Sequence, residues 1–421
     1  MEEDKTITIN NASNIPVAEG TSTQAQEKET FARPPKKPVF KAIDEIYYDF
    51  NNGLRVLFSE NCEKEYRCVF VDKASGMIVY SMDIPKGACV ESVKKYYVDF
   101  HLDIYEKGHF EKPVFSTDLN LDGRNVLVQF PYGAVGDTIA WFSYVERFQK
   151  KHNCKLTVSM EKRMADLFRN QYPEIEFCEK DDLEGREFYA TYNLGLFFGG
   201  DVDHQPYDFR AVGLHRTIGY ILGLDDQIDD IPPRVDLSCE RQIKEKYVVI
   251  ATQASSQCKY WNNPSGWRET IAYLKSLGYR VLCIDLNREY GYGFVWNKIP
   301  FGCEDFTGPA SLQERINLIK DADLFIGLSS GLSWLAWCCK VPIVMISGFT
   351  DPINEFHTPY RVINTHVCHG CWNDIRQSYD HHDFLWCPHK DEKKKFECTL
   401  AITSKMVIEK INKALEDMKN A

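Results

Sequence analysis

Four groups of side chains in this 421-residue chain have the types and spacing to do chemistry. The first is Asp137, which ends the turn Gly133-Ala134-Val135-Gly136-Asp137. A carboxylate at the carboxyl end of a strand can take a proton from a hydroxyl. The alternative is a helix N-cap with no other role, since Asp is among the commonest caps. The two glycines are not spaced as G-x-G-x-x-G, which disfavours a dinucleotide site. The second is Lys259, the one lysine in Ala251–Trp261 (ATQASSQCKYW). Such a lysine can neutralise a diphosphate as a mobile point charge, or stand solvated at the surface. The third is the turn Ser329-Ser330-Gly331, ahead of an apolar segment, Leu332–Cys339, of helical density. Small residues there leave backbone N–H groups open at a helix N-terminus, which favours phosphate; a tight turn with no ligand is the alternative. The fourth is Cys368-His369-Gly370-Cys371 with Cys387 and Cys398, the gaps being two, fifteen and ten residues. Four thiolates at such spacing can complete a tetrahedron around zinc or iron, zinc being the default on ligand chemistry. Reduced, buried cysteines are the alternative. His369, His381, His382 and His389 share the segment and could replace a thiol. With every ligand supplied by protein the metal would be structural, stapling a loop too polar to build its own core.

The elements that must position these groups fall into four stretches. Residues 1–37 are polar, with few apolar side chains to offset the entropy of ordering, and read as a flexible tail. Residues 38–120 alternate apolar and polar positions, with turns at Asn51-Asn52-Gly53 and Ala74-Ser75-Gly76, and predict a small β-rich domain of hairpins. From residue 121 the texture changes to alternating strands and helices. The expected strands are Asn125–Phe130, Lys155–Met160, Ile175–Cys178 and Leu194–Phe198, and the expected helices Thr138–His152, Glu161–Gln171 and Ala211–Leu222. An acidic, proline-bearing stretch, Asp225–Val235, reads as a linker. The pattern then restarts: strand Tyr247–Thr252, helix Pro264–Leu277, strand Tyr279–Asp285, helix Leu312–Lys320, strand Leu324–Leu328, the helical segment already named and strand Val341–Ser347. The Cys-rich stretch, within residues 349–399, and an amphipathic helix, Leu400–Met418, finish the chain. The fold class is α/β: two doubly wound halves, 121–235 and 236–421, which usually face each other across a cleft that holds ligands at the carboxyl ends of the strands.

Composition excludes several classes of function. Fifty basic and sixty-one acidic side chains leave a net charge of −11, so nucleic acid is not the expected partner. No run of ~18 apolar residues suggests a membrane span, and no basic-then-apolar leader opens the chain. The expectation is a cytoplasmic protein whose fifteen cysteines form no disulfide framework.

Taken together, GAVGD, AT…KYW, GLSSGLSWLA and GFTDP resemble, in that order, the motifs of the ADP-heptose glycosyltransferases. The four-cysteine insertion and the N-terminal β-rich region are similar to those of one branch, the bacterial TibC-like autotransporter heptosyltransferases. The resemblance implies a GT-B fold of glycosyltransferase family 9 type and heptose transfer from ADP-heptose to serine hydroxyls of an autotransporter adhesin. It further implies inversion at the sugar, iron in the cysteine finger and a homo-oligomer, a dodecamer. Carried over by residue, Asp137 would be the general base and Lys259 would bind the donor diphosphate beside Thr252. Ser329, Ser330, Gly331, Leu332 and Ser333 would hold the donor, with phosphate bound by backbone N–H groups over Ser330–Ser333. Iron would be held by Cys368, Cys371, Cys387 and Cys398. Ser329 departs from the pattern where lipopolysaccharide relatives carry Asp, and Trp334 where they carry His. No DxD-like triplet stands at a strand end, so no metal is expected at the reaction centre. The competing readings are a non-catalytic, metal-stapled binding or assembly protein on a degenerate scaffold, or a relative with another donor or acceptor.

Overall fold

The computed structural model describes residues 30–131, 133–390 and 393–420, so the expected tail up to residue 29 lies outside the described residues. The remainder of that stretch is anchored. The Ala32 N–H donates to Gln129 Oε1 at 2.9 Å, and Gln129 Nε2 donates back to the Ala32 carbonyl at 3.1 Å. Arg55 Nη1 donates to the Pro35 carbonyl at 2.9 Å.

The second doubly wound half has a six-stranded sheet, ordered Glu304–Asp305, Arg280–Cys283, Tyr247–Ala251, Leu324–Leu328, Ile343–Ile346, Arg361–Val362. Every neighbouring pair is parallel. The central strands are buried along their whole length, which is why they read as unbroken apolar runs. In chain order this is third, second, first, fourth, fifth, sixth. The order reverses between Tyr247–Ala251 and Leu324–Leu328, where such sheets open a crevice at their carboxyl ends.

The first half repeats the logic. Glu176–Cys178, Lys155–Ser159, Asn125–Gln129 and Ala190–Asn193 are parallel neighbours in that order. The reversal falls beside Asn125–Gln129, whose carboxyl end feeds the glycine turn and helix Val135–His152. Here the expected strand Leu194–Phe198 is corrected. The paired strand is Ala190–Asn193, and the apolar residues after it are loop, with Phe198 half exposed. The expected helix Ala211–Leu222 is also corrected: it is two short helices, Phe209–Val212 and Arg216–Ile221. Gly213 breaks it at φ 97°, where an added Cβ would lie 2.2 Å from the Ile353 carbonyl oxygen.

The β-rich region divides between two sheets. Ile46–Asn51 pairs in parallel with Ala190–Asn193, so this strand, Arg55–Phe58 and Cys89–Glu91 extend the first half's sheet to eight strands with Phe40–Lys41. The junction is tied by Thr191 Oγ1 donating to Asn51 Oδ1 at 2.6 Å and by the Asn51 amide donating to the Phe188 carbonyl at 2.8 Å. Tyr66–Asp72, Met77–Ile84, Phe100–Glu106 and Phe115–Asp118 form a separate four-stranded antiparallel sheet. The expected linker crosses between halves under restraint, because Asp230 accepts from Arg216, from the backbone N–H of His357 and from buried His215. Among the described residues no helix is long and apolar enough to cross a membrane.

Candidate active site

The two reversal points face one another across a cavity of ≈ 760 Å³. Two helix N-termini meet there, those of Val135–His152 and Gly331–Cys338. A Cβ on Gly136 would lie 3.0 Å from Trp334 Cδ1 and 3.2 Å from the Gly331 Cα. One on Gly331 would lie 3.2 Å from the Val135 Cβ. The glycines of two motifs nearly 200 residues apart are therefore what lets the helix ends touch. Two positive dipole ends converging on one cavity favour an anionic ligand.

Asp137, Lys259, Ser329, Ser330, Gly331 and Leu332 all line this cavity. The N-cap reading of Asp137 is corrected: Ala134 holds the cap position, and Asp137 sits inside the first turn. No described residue hydrogen-bonds its carboxylate. Burial pushes its pKa up to about 6, opposed by the positive charge of Lys259. A carboxylate left unpartnered at this cost is poised as a proton acceptor near neutral pH.

Lys259 is half-buried rather than freely solvated. Its Nζ lies 3.3 Å from Ser255 Oγ and 5.6 and 5.7 Å from the ring centres of Phe349 and Tyr379; among the described residues it has no carboxylate partner. The loop carrying it is held to the Cys-rich insertion, since the Gln257 N–H and Ser256 Oγ both donate to the Phe384 carbonyl, at 2.9 and 3.1 Å. The Ser330 hydroxyl, at the cap of helix Gly331–Cys338, is buried without a hydrogen-bond partner among the described residues. That is the kind of orphan a bound oxyanion would satisfy.

Two expected donor contacts are placed elsewhere. Thr252 is buried and donates from both its N–H and its hydroxyl to Asp285, at 2.9 and 2.8 Å, which fixes the loop instead of facing the cavity. The Ser333 hydroxyl donates to the Leu328 carbonyl and its N–H to the Ser330 carbonyl, so neither is open to phosphate. Gly331 and Leu332, at the head of the helix, keep first-turn N–H groups that have no intrahelical partner.

The cavity also receives Arg163, Asn287, Tyr290, Trp372 and His381, which the sequence reading did not assign to it. Arg163 follows the strand next to the first reversal point, so strand-end logic could have found it. By sequence His381 is a candidate to replace a thiol at the metal. Its ring instead stands edge-on to Tyr379 at 4.5 Å in the cavity wall, and burial and Lys259 lower its pKa, leaving it neutral.

The thiols of Cys368, Cys371, Cys387 and Cys398 lie close enough to feel one another's charge. Burial and these neighbours push the Cys371 thiol up to about 12. Soft thiols gathered in this way suit iron or zinc chemically. Among the described residues, however, no three His, Cys, Asp or Glu side chains have an arrangement that would hold a metal ion.

Comparisons with known proteins bear on the family. Residues 44–108 match the model of the N-terminal domain of glycosyltransferase TibC, and residues 225–382 that of glycosyltransferase family 9 (heptosyltransferase). The second match spans Lys259 and the serine turn; Asp137 lies between the two. The autotransporter heptosyltransferase Aah of Escherichia coli is 52% identical over 379 residues, 90% of this chain and 95% of that one. The crystal structure of TibC from enterotoxigenic E. coli, an iron-containing dodecameric glycosyltransferase, superposes with a TM-score of 0.87 at 49% identity, covering 92% of this chain and all of that one. TibC has also been crystallised with ADP-D-β-D-heptose. An inactive autotransporter heptosyltransferase, BimC of Burkholderia thailandensis, is 34% identical over 90% of this chain and 88% of its own length. Sharing half its residues with Aah over nine-tenths of its length, and matching the family model over residues 225–382, the chain belongs to the autotransporter heptosyltransferases of glycosyltransferase family 9.

Proposed function

We propose that the protein transfers heptose from ADP-heptose to serine hydroxyls of an autotransporter adhesin, with inversion at the anomeric carbon. The observation that carries this reading is the placing of Asp137, Lys259 and the turn Ser329–Leu332 around a single cavity. Asp137 takes the proton of the acceptor hydroxyl as its oxygen bonds to the anomeric carbon. The bond from that carbon to the diphosphate breaks, and ADP leaves with the electron pair. Attack opposite the leaving group inverts the centre. Lys259 and the N–H groups of Gly331 and Leu332 face the charge that develops on the diphosphate. Crystallisation of TibC with ADP-heptose supports the choice of donor.

In this reading the two halves, residues 121–235 and 236–421, form a GT-B pair with acceptor and donor sides, and residues 38–120 are the β-rich unit. Iron in a finger within residues 349–399 and assembly as a dodecamer are part of the same proposal, supported by the iron-containing, dodecameric TibC, and so is a cytoplasmic site of action. Iron held by Cys368, Cys371, Cys387 and Cys398 would fix the loop that carries Trp372 and His381 into the cavity and anchors the Lys259 loop at Phe384. Cys371→Ser is then expected to lose the metal and to aggregate or fall to smaller species. Elemental analysis with native mass spectrometry reads both, and an active, correctly assembled, metal-free variant overturns the structural role.

The pH profile follows from Asp137. A base must be deprotonated, so with its pKa at about 6, kcat/KM should fall about tenfold per pH unit below 6 and level off above it. The profile of kcat should break at a higher pH, because bound diphosphate offsets the Lys259 charge that holds Asp137 down. A flat profile from pH 5 to 8, with chemistry rate-limiting, removes Asp137 from the proton transfer.

The non-catalytic reading draws on BimC. Incubating the purified protein with ADP-heptose and an adhesin passenger discriminates the two: ADP release with acceptor labelling is expected, and complete inactivity toward a proven acceptor favours the scaffold.

A further inference from the structure

Ser329 ends the strand Leu324–Leu328 at the reversal point and lines the cavity. Its hydroxyl donates to Glu355 Oε1 at 2.5 Å. Glu355 stands behind the wall, 1% exposed, and touches two residues that line the cavity, Ser329 and Asn354. Besides Ser329, two groups hold it. Arg361 forms an ion pair with Oε2 at 2.7 Å, and the Asn354 amide donates to Oε1 at 2.9 Å. Arg361 in turn donates to the Thr350 carbonyl at 2.9 Å and the Thr350 hydroxyl at 3.1 Å. Asn354 cannot turn over, because its Oδ1 accepts from Trp372 Nε1 at 3.0 Å.

A hydroxyl has one hydrogen. That of Ser329 is committed to a carboxylate fixed on both sides, so what the hydroxyl can offer the cavity is acceptance at the oxygen's lone pairs. A bond to a charged acceptor also makes that oxygen a better acceptor itself. Ser329 is thus turned from a two-way group into a directional one. It cannot donate to a phosphate oxygen, and it selects a partner that brings its own hydrogen.

We propose that Ser329 accepts a hydrogen bond from a hydroxyl of the nucleotide-sugar donor, and that Glu355, locked by Arg361 and Asn354, is the positioning residue that sets this polarity. The inference rests on the donor reading given above and assigns the serine turn two jobs. Gly331 and Leu332 meet phosphate with N–H groups, while Ser329 meets a ring hydroxyl with a lone pair.

The hydroxyl could belong to the ribose or to the transferred sugar, and the test separates them. Full-length wild type, Ser329→Ala and Ser329→Thr are compared for kcat, for the KM of ADP-heptose and for the Kd of ADP. Ser329→Ala leaves the Glu355–Arg361 pair in place, so the fold is expected to persist. Its KM for ADP-heptose should rise roughly five- to tenfold with kcat changed far less, as for one lost hydrogen bond, and Ser329→Thr should restore it. An equal loss in ADP affinity assigns the hydroxyl to the ribose; ADP binding at wild-type strength assigns it to the sugar. Glu355→Gln is the second arm. Its amide can turn an N–H toward Ser329, reversing the hydroxyl, and should raise KM at least as much as Ser329→Ala. Donor KM and ADP affinity both within twofold of wild type in Ser329→Ala overturn the proposal while leaving the donor reading intact. A wild-type protein that binds neither ADP nor ADP-heptose overturns the donor reading and this proposal with it.

Discussion

Asp137→Asn is expected to lower transfer by about 10²–10⁴, the range for loss of a positioned base, while ADP still binds. The same substitution should make the free protein more stable. The pKa of Asp137 is raised in the folded state, so folding favours its protonated form. The stability tied to that form is present at low pH and is lost as the pH rises from the ordinary carboxylate range through about 6. Asparagine mimics the protonated acid at every pH. Above pH 6 the variant should therefore gain on the order of 1–2 kcal/mol, a figure discounted because the carboxylate is partly open to the cavity. At pH 4 the gain should largely vanish. A residue kept for capping or packing would lose stability on this substitution. Inactivity with a raised Tm at pH 8 marks a group held at a cost to the fold for its chemistry. Near-normal turnover returns Asp137 to a structural role.

Lys259→Met is expected to act on both ends of the reaction. It keeps the side chain's reach over Phe349 and Tyr379 and removes the charge. Loss of a cation facing the departing diphosphate should lower kcat by about 10²–10³ and weaken ADP binding as well. Lys259 is also the charge that holds the Asp137 carboxyl down. In the variant the residual activity should therefore reach its acid limb at a higher pH. An unchanged limb with a large loss of kcat would mean that the two residues do not share one field.

Much of the scaffold can be read from residue order, because the strands of a buried parallel sheet are apolar along their whole length. Leu324–Leu328 begins and ends where its apolar run does, and helix Val135–His152 starts three residues before the expected Thr138. The misreadings have tertiary causes. Leu194–Phe198 has the composition of a strand, but Ala190–Asn193 takes the place beside Asn125–Gln129, and Leu196 and Phe198 turn to the cavity. The helix expected over Ala211–Leu222 breaks where Gly213 meets the Ile353 backbone, a contact no local pattern encodes. Ile46–Asn51 has the pattern of a free-standing hairpin strand, yet it pairs in parallel with Ala190–Asn193, and its buried Asn51 bonds to Thr191 and to the Phe188 carbonyl.

The site divides in the same way. Asp137, Lys259 and the serine turn follow strand ends, and strand ends are legible. Arg163, Trp372 and His381 come from a helix start and from the Cys-rich insertion, whose approach to the cavity depends on how distant segments pack. Thr252 and Ser333 share the right loops, but their hydrogen bonds turn inward. Adjacency in sequence did not distinguish a residue that faces ligand from one that supports its neighbour.

The central claim is that this chain carries heptose from a nucleotide to an adhesin with Asp137 as the base. The most direct test is the intact mass of an autotransporter adhesin passenger co-expressed with wild-type protein or with Asp137→Asn. With wild type the mass should rise by whole multiples of one heptose residue, lost on mild base treatment as for serine-linked sugar, and with the variant it should not rise. An increment of another sugar, or equal heptose addition by both proteins, would contradict it.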